Sequence, residues 1–356
     1  MRFRPSRAFV LPWALLALPL NLSGRESAAD PLARASASRG PASSPACVLD
    51  VKAAFDAIEK TDGEKIKVET DEFIAGKSYT MAPWNKLGLD NHFQGIQMLE
   101  DPRFVAFSGA NIHSKQASLF IAEIALDAKK DAEPRIVARL DIGTKTFWHA
   151  GGLSRAGHIL AVPIEAYKIS KTSVVQFYDV SVPSAPKLVH ELPRPHFDAG
   201  ATALTRLADG RFLLIAFSNG IYEFYRSKTG DVSDGFAETA IVRRDWSAIP
   251  SANGSNLNFI EQCDGKKFLV TFRNTGKAPP VILNGRDLAG LLAFDWNDGD
   301  PKIAVRDEKR FVCHSSCNFA GAAGARVTET GGLSFYSTYT FRGLLSGKLR
   351  MKIFSE

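Results

Sequence analysis

Two histidines, each followed closely by a glycine, are the residues of this chain whose type and spacing could support chemistry. His92 precedes Gly95 and His149 precedes Gly151, and each pair comes shortly before an apolar run. Neutral imidazole binds zinc, copper or iron, and a carboxylate such as Asp198 could complete a site with positions open to water. His92, His149 and Asp198 are therefore a candidate site for one divalent transition metal, where metal-assisted hydrolysis could occur.

A wider polar set could bind a ligand or partner without any metal. It consists of residues expected near the starts of repeated strands: His92, Gln94, His149, Asp198, Asn258 and Asn318. The two histidines could equally form hydrogen bonds inside the fold, with no ligand at all. The chain contains no Walker or dinucleotide phosphate-binding motif, no Gly-x-Ser-x-Gly nucleophile motif and no acidic calcium-loop pattern. The sequence therefore leaves open whether the ligand is a small molecule or an envelope protein.

Five stretches with a common plan position these residues. Each stretch has a small-residue or glycine turn, an apolar strand, a polar break and a second apolar strand. The second strands begin near Phe104, Ile159, Phe212, Phe268 and Leu333, so their starts are 55, 53, 56 and 65 residues apart. Regular spacing on this scale indicates a repeated supersecondary unit, and each unit has room for the four strands of one propeller blade. The sequence predicts an all-β fold, a single β-propeller of five four-stranded blades.

The ring predicted from these repeats needs one strand from the N-terminal part of the chain. The fifth repeat has room for three strands only, and the segment EKIKVET, which starts at Glu64, could supply the fourth. Such closure removes exposed strand edges. The loop that starts at Gly76 could instead contribute to a weak sixth blade. Before these segments, apolar residues at 51, 54, 55 and 58, with Asp50 as N-cap, predict a short helix.

The N-terminal residues carry the marks of an exported protein. Residues 1–29 combine three early arginines, an apolar run and small residues, which is typical of a signal peptide. Residues 30–46 are rich in Ala, Ser and Pro and predict a disordered leader, which leaves 47–356 for the propeller domain. The expected location is the periplasm or the extracellular side of a bacterial envelope. No membrane span is expected after removal of the signal.

Charge and cysteine content narrow the partners and crosslinks. The formal charge of +6 falls to +3 without residues 1–29, which hold four arginines and one glutamate, so nucleic acid is not an expected partner. An exported chain can form disulfides, and four cysteines allow three complete pairings. Cys313 would end an outer strand and Cys317 would open the next inner strand. This placement favours a Cys313–Cys317 disulfide, or a pairing of Cys47 with one of these two.

One blade resembles a known bacterial repeat. The segment SVVQFYDVSVPSAPKLV, from Ser173, is similar to the repeat of LVIVD-type propellers, in which a strand ends in Asp, then Val-Ser, then a Pro-x-x-Pro turn. The matching residues are Asp179, Val180, Ser181, Pro183 and Pro186. The resemblance covers one blade and extends more widely to exported bacterial propellers without an assigned activity. It implies fold and compartment, and it implies no catalytic residue.

Three functions are compatible with these observations. The first is an exported propeller that binds a ligand or partner through the mouth of its central channel. The second is a metal-dependent enzyme, with hydrolysis as the favoured reaction, that uses histidines along the axis. The third is a structural envelope protein, which the absence of a sharp catalytic motif would allow.

Overall fold

The computed structural model describes the chain from residue 47 to 355, with gaps. The described ranges are 47–58, 64–68, 91–111, 114–124, 135–167, 169–243, 255–274, 287–297, 299–311, 317–319, 321–338 and 349–355. The signal peptide and the leader predicted for residues 1–46 lie outside them, as does the loop from Gly76 that could have formed part of a sixth blade. None of the helices in these ranges is long and apolar enough to cross a membrane.

The predicted N-terminal helix is present as α1 (Val51–Ala57). Asp50 caps it, since its side chain accepts a hydrogen bond from the backbone N of Ala53 at 3.0 Å. The other end is held by Lys309, whose Nζ donates to the carbonyls of Phe55 and Asp56 at 3.2 and 2.6 Å. One face of the helix is buried, and its buried residues are Val51, Ala54 and Phe55. The helix therefore packs on the propeller as its apolar spacing predicts.

Twenty-one strands form five antiparallel sheets within the described residues. In chain order they are β1 (Glu64–Val68), β2 (Asn91–Met98), β3 (Phe104–Asn111), β4 (Gln116–Glu123), β5 (Arg135–Asp141), β6 (His149–Ala150), β7 (Ser154–Ala156), β8 (Ile159–Glu165), β9 (Ser173–Asp179), β10 (Lys187–Arg194), β11 (Ala201–Arg206), β12 (Phe212–Ser218), β13 (Ile221–Ser227), β14 (Phe236–Arg243), β15 (Asn256–Glu261), β16 (Lys267–Asn274), β17 (Asp287–Asn297), β18 (Asp300–Phe311), β19 (Ala323–Val327), β20 (Leu333–Thr338) and β21 (Leu349–Ser355). The sheets are β2–β5, β6–β10, β11–β14, β15–β18, and β19–β21 with β1. Each sheet is one blade.

The N-terminal strand closes the ring, as predicted. β1 pairs antiparallel with β21, from Glu64 opposite Ile353 to Val68 opposite Leu349, and so forms the outer strand of the fifth blade. The inner strands of successive blades contact one another around the axis, and β19 of the last blade contacts β2 of the first. The prediction of a closed five-bladed propeller is confirmed.

The hydrophobic core lies between neighbouring blades. Between the fourth and fifth blades the rings of Phe272 and Phe335 have centroids 5.1 Å apart, as do those of Phe311 and Phe354. Phe55 of α1 joins this cluster, with its ring centroid 5.7 Å from that of Phe335. Edge-to-face aromatic pairs of this kind add to the stabilisation from burial alone. The blades are therefore fixed to each other, and the loops at both ends of the ring have a rigid base.

The N-terminal segment is also fixed covalently. Cys47 forms a disulfide with Cys263, and Val48 forms a parallel bridge with Gln262 in the turn between β15 and β16. The expectation that Cys47 might pair with Cys313 or Cys317 is therefore wrong, because the segment before α1 passes the fourth blade. Cys317 is disulfide-bonded as well. Cys313 lies outside the described residues, so its predicted pairing with Cys317 stays a prediction.

Removal of the Cys47–Cys263 disulfide is expected to destabilise the protein substantially. The bond joins residues 216 apart in sequence, and loss of a native disulfide typically lowers the free energy of unfolding by about 2–5 kcal/mol. Urea unfolding of the double variant Cys47→Ala, Cys263→Ala measures the loss. A midpoint equal to that of the unmodified protein would show that the bridge and α1 hold the segment without the disulfide.

Candidate functional site

Glycines allow the inner strands to approach one another closely at one end of the axis. A Cβ on Gly152 would clash with the carbonyl oxygen of Ser255 in the fourth blade, and one on Gly151 would clash with that of Gly200. The backbone of Gly152 also donates to Gly200 O at 2.8 Å and accepts from Thr202 N at 2.8 Å. The second blade therefore meets the third and fourth directly. Glycine is required there because no side chain fits.

His149 lies at this end of the ring and is paired with a carboxylate. It is opposite Glu165 in the register of β6 and β8, and its Nδ1 lies 2.8 Å from Glu165 Oε1. Both side chains are nearly buried, with 9% and 12% of their surface exposed. The ring of Tyr167 stacks on the imidazole at a centroid distance of 4.3 Å, and Trp148 contacts both rings edge-on. These contacts fix the position of the imidazole.

Asp198 brings a second carboxylate into the neighbourhood of Glu165. It is partly buried in the segment between β10 and β11. Burial raises the pKa of Asp198, and the negative charge of Glu165 raises it further, against the opposing charges of Lys171 and Arg194. We call His149, Glu165 and Asp198 the mouth cluster, in which His149 contacts Glu165 directly and Asp198 lies near enough for the charge of Glu165 to act on it.

A buried ion pair lies next to the mouth cluster and holds the backbone of Asp198. Arg194 Nε donates to Glu223 Oε2 at 2.7 Å, and the two side chains are 2% and 1% exposed. Arg194 Nη1 also donates to Ser173 Oγ at 2.7 Å and to the carbonyl of Asp198 at 2.9 Å. Tyr225 donates its hydroxyl to the same Glu223 oxygen at 2.8 Å. The guanidinium of Arg194 therefore holds the backbone of Asp198, and Glu223 of the third blade neutralises its charge.

The other predicted site residues have different surroundings. Asn258 is buried within the ring, where its Nδ2 donates to Gln97 Oε1 at 2.6 Å and its Oδ1 accepts from Ala325 N at 2.9 Å. It therefore joins the fourth, fifth and first blades. Gln94 is half-buried at a bulge in β2, where the register with β3 shifts. Asn318 precedes β19, and its backbone N donates to Thr338 O at 3.3 Å.

The predicted metal site stays a prediction. The backbone of His92 pairs with Ala110 in the first blade, but its side chain lies outside the described part of the structure. Across the described residues, no three His, Cys, Asp or Glu side chains are placed to hold a metal ion. Of the three predicted ligands, the structure therefore describes the side chains of His149 and Asp198 alone.

Glu165 is the functional residue that the sequence reasoning missed. It is the last residue of an apolar strand, and its position looked like an ordinary strand end. The Gly157 turn alone does not predict this contact, because the register that pairs Ser154 with Ala161 would continue to Ala150 opposite Glu165. One extra residue in the inner strand between β6 and β7 shifts the register and places His149 opposite Glu165.

A separate groove of about 1330 Å³ lies at the opposite end of the ring. It passes the turns that follow β11 and β15, and none of the predicted site residues lines it. Phe268 and Trp296 contribute apolar surface, while Arg211 and Lys266 at its rim are paired with Asp209 and Asp264. The groove is wide and shares no residue with the mouth cluster.

Neutralising Asp287, which opens β17, is expected to change how stability depends on pH. Its Oδ1 accepts hydrogen bonds from Asn274 Nδ2 and Phe319 N at 2.8 and 2.9 Å, yet burial raises the pKa of this carboxyl above its ordinary value. The folded state therefore holds the proton more tightly than the unfolded state. The contribution of Asp287 to stability is present below about pH 4 and is lost as the pH rises through its folded-state pKa.

The variant Asp287→Asn should therefore be more stable than the unmodified protein at pH 7 and about equally stable at pH 4. Asparagine can still accept both hydrogen bonds through its Oδ1. Urea unfolding at several pH values measures the difference, and each unit of raised pKa corresponds to about 1.4 kcal/mol. A stability difference that stays constant between pH 4 and 7 would contradict the assignment.

Comparisons with known proteins identify no family for this chain. No family model matches it, and no curated protein matches it. Among solved structures it is similar to a putative hydrolase from Bacteroides ovatus, with a TM-score of 0.40 and 11% identity over 76% of this chain and 87% of that one. It is also similar to a mutant of NanB sialidase from Streptococcus pneumoniae, with a TM-score of 0.35 and 12% identity over 67% of this chain.

A third similar structure is prolyl oligopeptidase B from Galerina marginata, with a TM-score of 0.30 and 14% identity over 70% of this chain. The chain spans 35% of the sialidase and 31% of the oligopeptidase. At this level of similarity none of the three supports an activity for this protein. The resemblance of the second blade to the LVIVD-type repeat stays a prediction.

Proposed function

We propose that this protein is an exported ligand-binding module that binds a small positively charged molecule, such as an amine, at the mouth cluster. Two carboxylates, Glu165 and Asp198, and the imidazole of His149 offer hydrogen-bond acceptors at this end of the ring. Tyr167 adds an aromatic ring beside them, and aromatic faces attract cations. Export rests on the signal peptide predicted for residues 1–29.

The observation that carries this proposal is the nearly buried His149–Glu165 pair, whose Nδ1 and Oε1 lie 2.8 Å apart, with Asp198 near enough for the charge of Glu165 to raise its pKa. Two carboxylates that share a partly buried site disfavour each other's ionisation. A bound cation relieves that repulsion, so part of the penalty for ionising Asp198 is recovered when the ligand binds. Perturbed carboxyl groups at a concave end of a fold are common at functional sites.

A metal-dependent hydrolase is the second candidate, and one observation favours it. A carboxyl group whose pKa is raised, near a His–Glu pair, is suited to proton transfer. The metal would have to use His149 and Asp198, together with the His92 side chain. Elemental analysis of the purified protein separates the two candidates, because a bound transition metal near one per chain would favour the hydrolase.

Calorimetric titration with small amines tests the binding proposal. Ethylammonium, putrescine and choline sample primary, paired and quaternary charges, and glycerol serves as an uncharged control. We expect at least one amine to bind, and Asp198→Asn to weaken it about tenfold or more, since a hydrogen bond to a charged group contributes about 1.5–3 kcal/mol. The matched control is Glu238→Gln, an exposed carboxylate on β14, which should bind as the unmodified protein does.

Two outcomes would contradict the binding proposal. Absence of binding by all amines would leave the structural envelope protein as the simplest reading. Equal weakening by Asp198→Asn and Glu238→Gln would show that the amines respond to overall charge and not to the mouth cluster.

A further inference from the structure

Two arginines lie at the end of the axis opposite the mouth cluster. Arg155 is in the inner strand of the second blade, opposite Leu160, and Arg326 is in the inner strand of the fifth, opposite Ser334. In each blade the arginine pairs with the second residue of the next strand, so Arg155 and Arg326 occupy equivalent positions in their two blades. Each is partly buried.

The buried hydroxyl of Tyr336 links the segments beside the two arginines, since it also donates to the carbonyl of Ala325, next to Arg326, at 3.4 Å. It accepts hydrogen bonds from Met98 N and from Gln97 Nε2, both at 3.0 Å. The carbonyl of the same Met98 accepts from Arg155 Nε at 3.1 Å. Burial raises the pKa of Tyr336 to about 12, against the positive charges of Arg155 and Arg326, which act on it from nearby.

Neither guanidinium has a carboxylate partner. Arg155 donates to two backbone carbonyls, those of Met98 and Gly157, the latter at 2.7 Å. Arg326 Nε is buried and has no hydrogen-bond acceptor. Among the described residues, no carboxylate oxygen lies within ion-pair distance of either group.

Two other buried cations among the described residues, Arg194 and Lys309, have a counter-ion or backbone carbonyl acceptors. Arg194 has Glu223 as its counter-ion, whereas the Arg155 and Arg326 pair has none in the described chain. Placing two positive charges near each other in a partly desolvated site is unfavourable unless an anion compensates them. Burial lowers the pKa of Arg155, and the negative charge of exposed Glu100, which lies beyond ion-pair distance, opposes that shift.

We propose that this end of the axis is an oxyanion-binding site for the carboxylate or phosphate group of a small molecule. The free N–H groups of Arg155 and the guanidinium of Arg326 would hold the oxygens, because planar guanidinium groups match carboxylate and phosphate geometry. Gln97 and Tyr336 hold the backbone of Met98, whose carbonyl oxygen accepts a hydrogen bond from Arg155. The site shares no residue with the mouth cluster and is independent of the function proposed above.

Calorimetric titration with two separate probes tests the oxyanion site. The titrations are made at low ionic strength, because salt screens the attraction between the arginines and an anion. Inorganic phosphate and succinate distinguish a phosphate ligand from a carboxylate ligand, and binding of either supports the site. We expect Arg326→Gln to weaken the bound probe about tenfold or more. The side chain of Arg326 forms no hydrogen bond within the described residues, and an unchanged urea midpoint for the variant would show that loss of binding does not come from unfolding.

Two further variants make the test specific. Glu100→Gln should strengthen binding several-fold, since it removes the carboxylate that competes for Arg155. Glu238→Gln removes the same charge far from the site and should leave binding unchanged, which excludes a nonspecific charge effect. Arg135→Gln, on the exposed outer strand of the first blade, should leave binding unchanged. The proposal is overturned if neither probe binds, or if Arg135→Gln weakens binding as much as Arg326→Gln does.

Discussion

Replacing β1 with a Gly/Ser segment of equal length is expected to abolish the cooperative unfolding transition of the propeller. Five residue pairs join Glu64–Val68 to β21, and they supply the outer strand of the fifth blade. Without them β21 becomes an open edge with unpaired backbone groups. The total free energy of unfolding of a domain is only about 5–15 kcal/mol, so loss of a whole closing strand is comparable to all of it.

Urea unfolding followed by circular dichroism measures this effect. A Gly/Ser replacement of the exposed turn at residues 182–185 is the matched control, because it changes a similar number of residues without removing a strand. It should shift the midpoint only slightly. A β1 replacement that still unfolds in one transition with the original midpoint would show that the ring does not depend on the N-terminal strand.

Breaking the buried ion pair under the mouth cluster is expected to have the second largest effect. Glu223→Gln leaves the Arg194 guanidinium in a buried site without its counter-ion. Removal of one partner of a buried pair typically lowers the free energy of unfolding by about 3–5 kcal/mol. The double variant Arg194→Met, Glu223→Leu should lose less than Glu223→Gln alone, because it leaves no uncompensated charge.

The exposed pair Arg135–Glu123 provides the control for this comparison. Its Nε–Oε2 distance is 2.8 Å, but Arg135 is 68% exposed, and pairs of this kind contribute about 0–1 kcal/mol. Urea unfolding of Glu123→Gln should therefore change little. A loss for Glu223→Gln no larger than that of Glu123→Gln would mean that water or a neighbouring group compensates Arg194.

The architecture could be predicted from the sequence because it depends on local patterns. The five repeated strand pairs, the N-cap at Asp50 and the closing strand from Glu64 each follow from apolar periodicity and from the shortage of one strand in the last repeat. These features can be predicted without knowing which blades contact one another. Close packing of the inner strands depends on glycines in the same repeats, as Gly95, Gly151 and Gly152 show.

The site could be predicted only in part, because its contacts cross between strands and blades. His149 and Asp198 were identified, but Glu165 depends on the register of one hairpin and Arg194–Glu223 on two neighbouring blades. Asn258 was assigned to the mouth because β15 was expected to begin close to it. It is the third residue of β15, where its amide contacts Gln97 of the first blade and Ala325 of the fifth.

The disulfide shows the same limit. Cys47 precedes α1 and Cys263 follows β15, and nothing in their local sequence indicates that they meet. Their pairing depends on the path of the segment before α1, which runs beside the turn after β15 through the bridge between Val48 and Gln262. A contact between residues so distant in the chain requires the closed ring to be known first.

Proton release on ligand binding tests the central claim most directly. Because a cation favours the ionised carboxylate, binding should lower the pKa of Asp198 and release a proton as the pH nears that pKa from below. Calorimetric titration of the bound amine in two buffers of different ionisation enthalpy counts the protons. We expect proton release that disappears in Asp198→Asn and persists in Glu238→Gln. The same proton count in Asp198→Asn as in the unmodified protein would contradict a binding site at the mouth cluster.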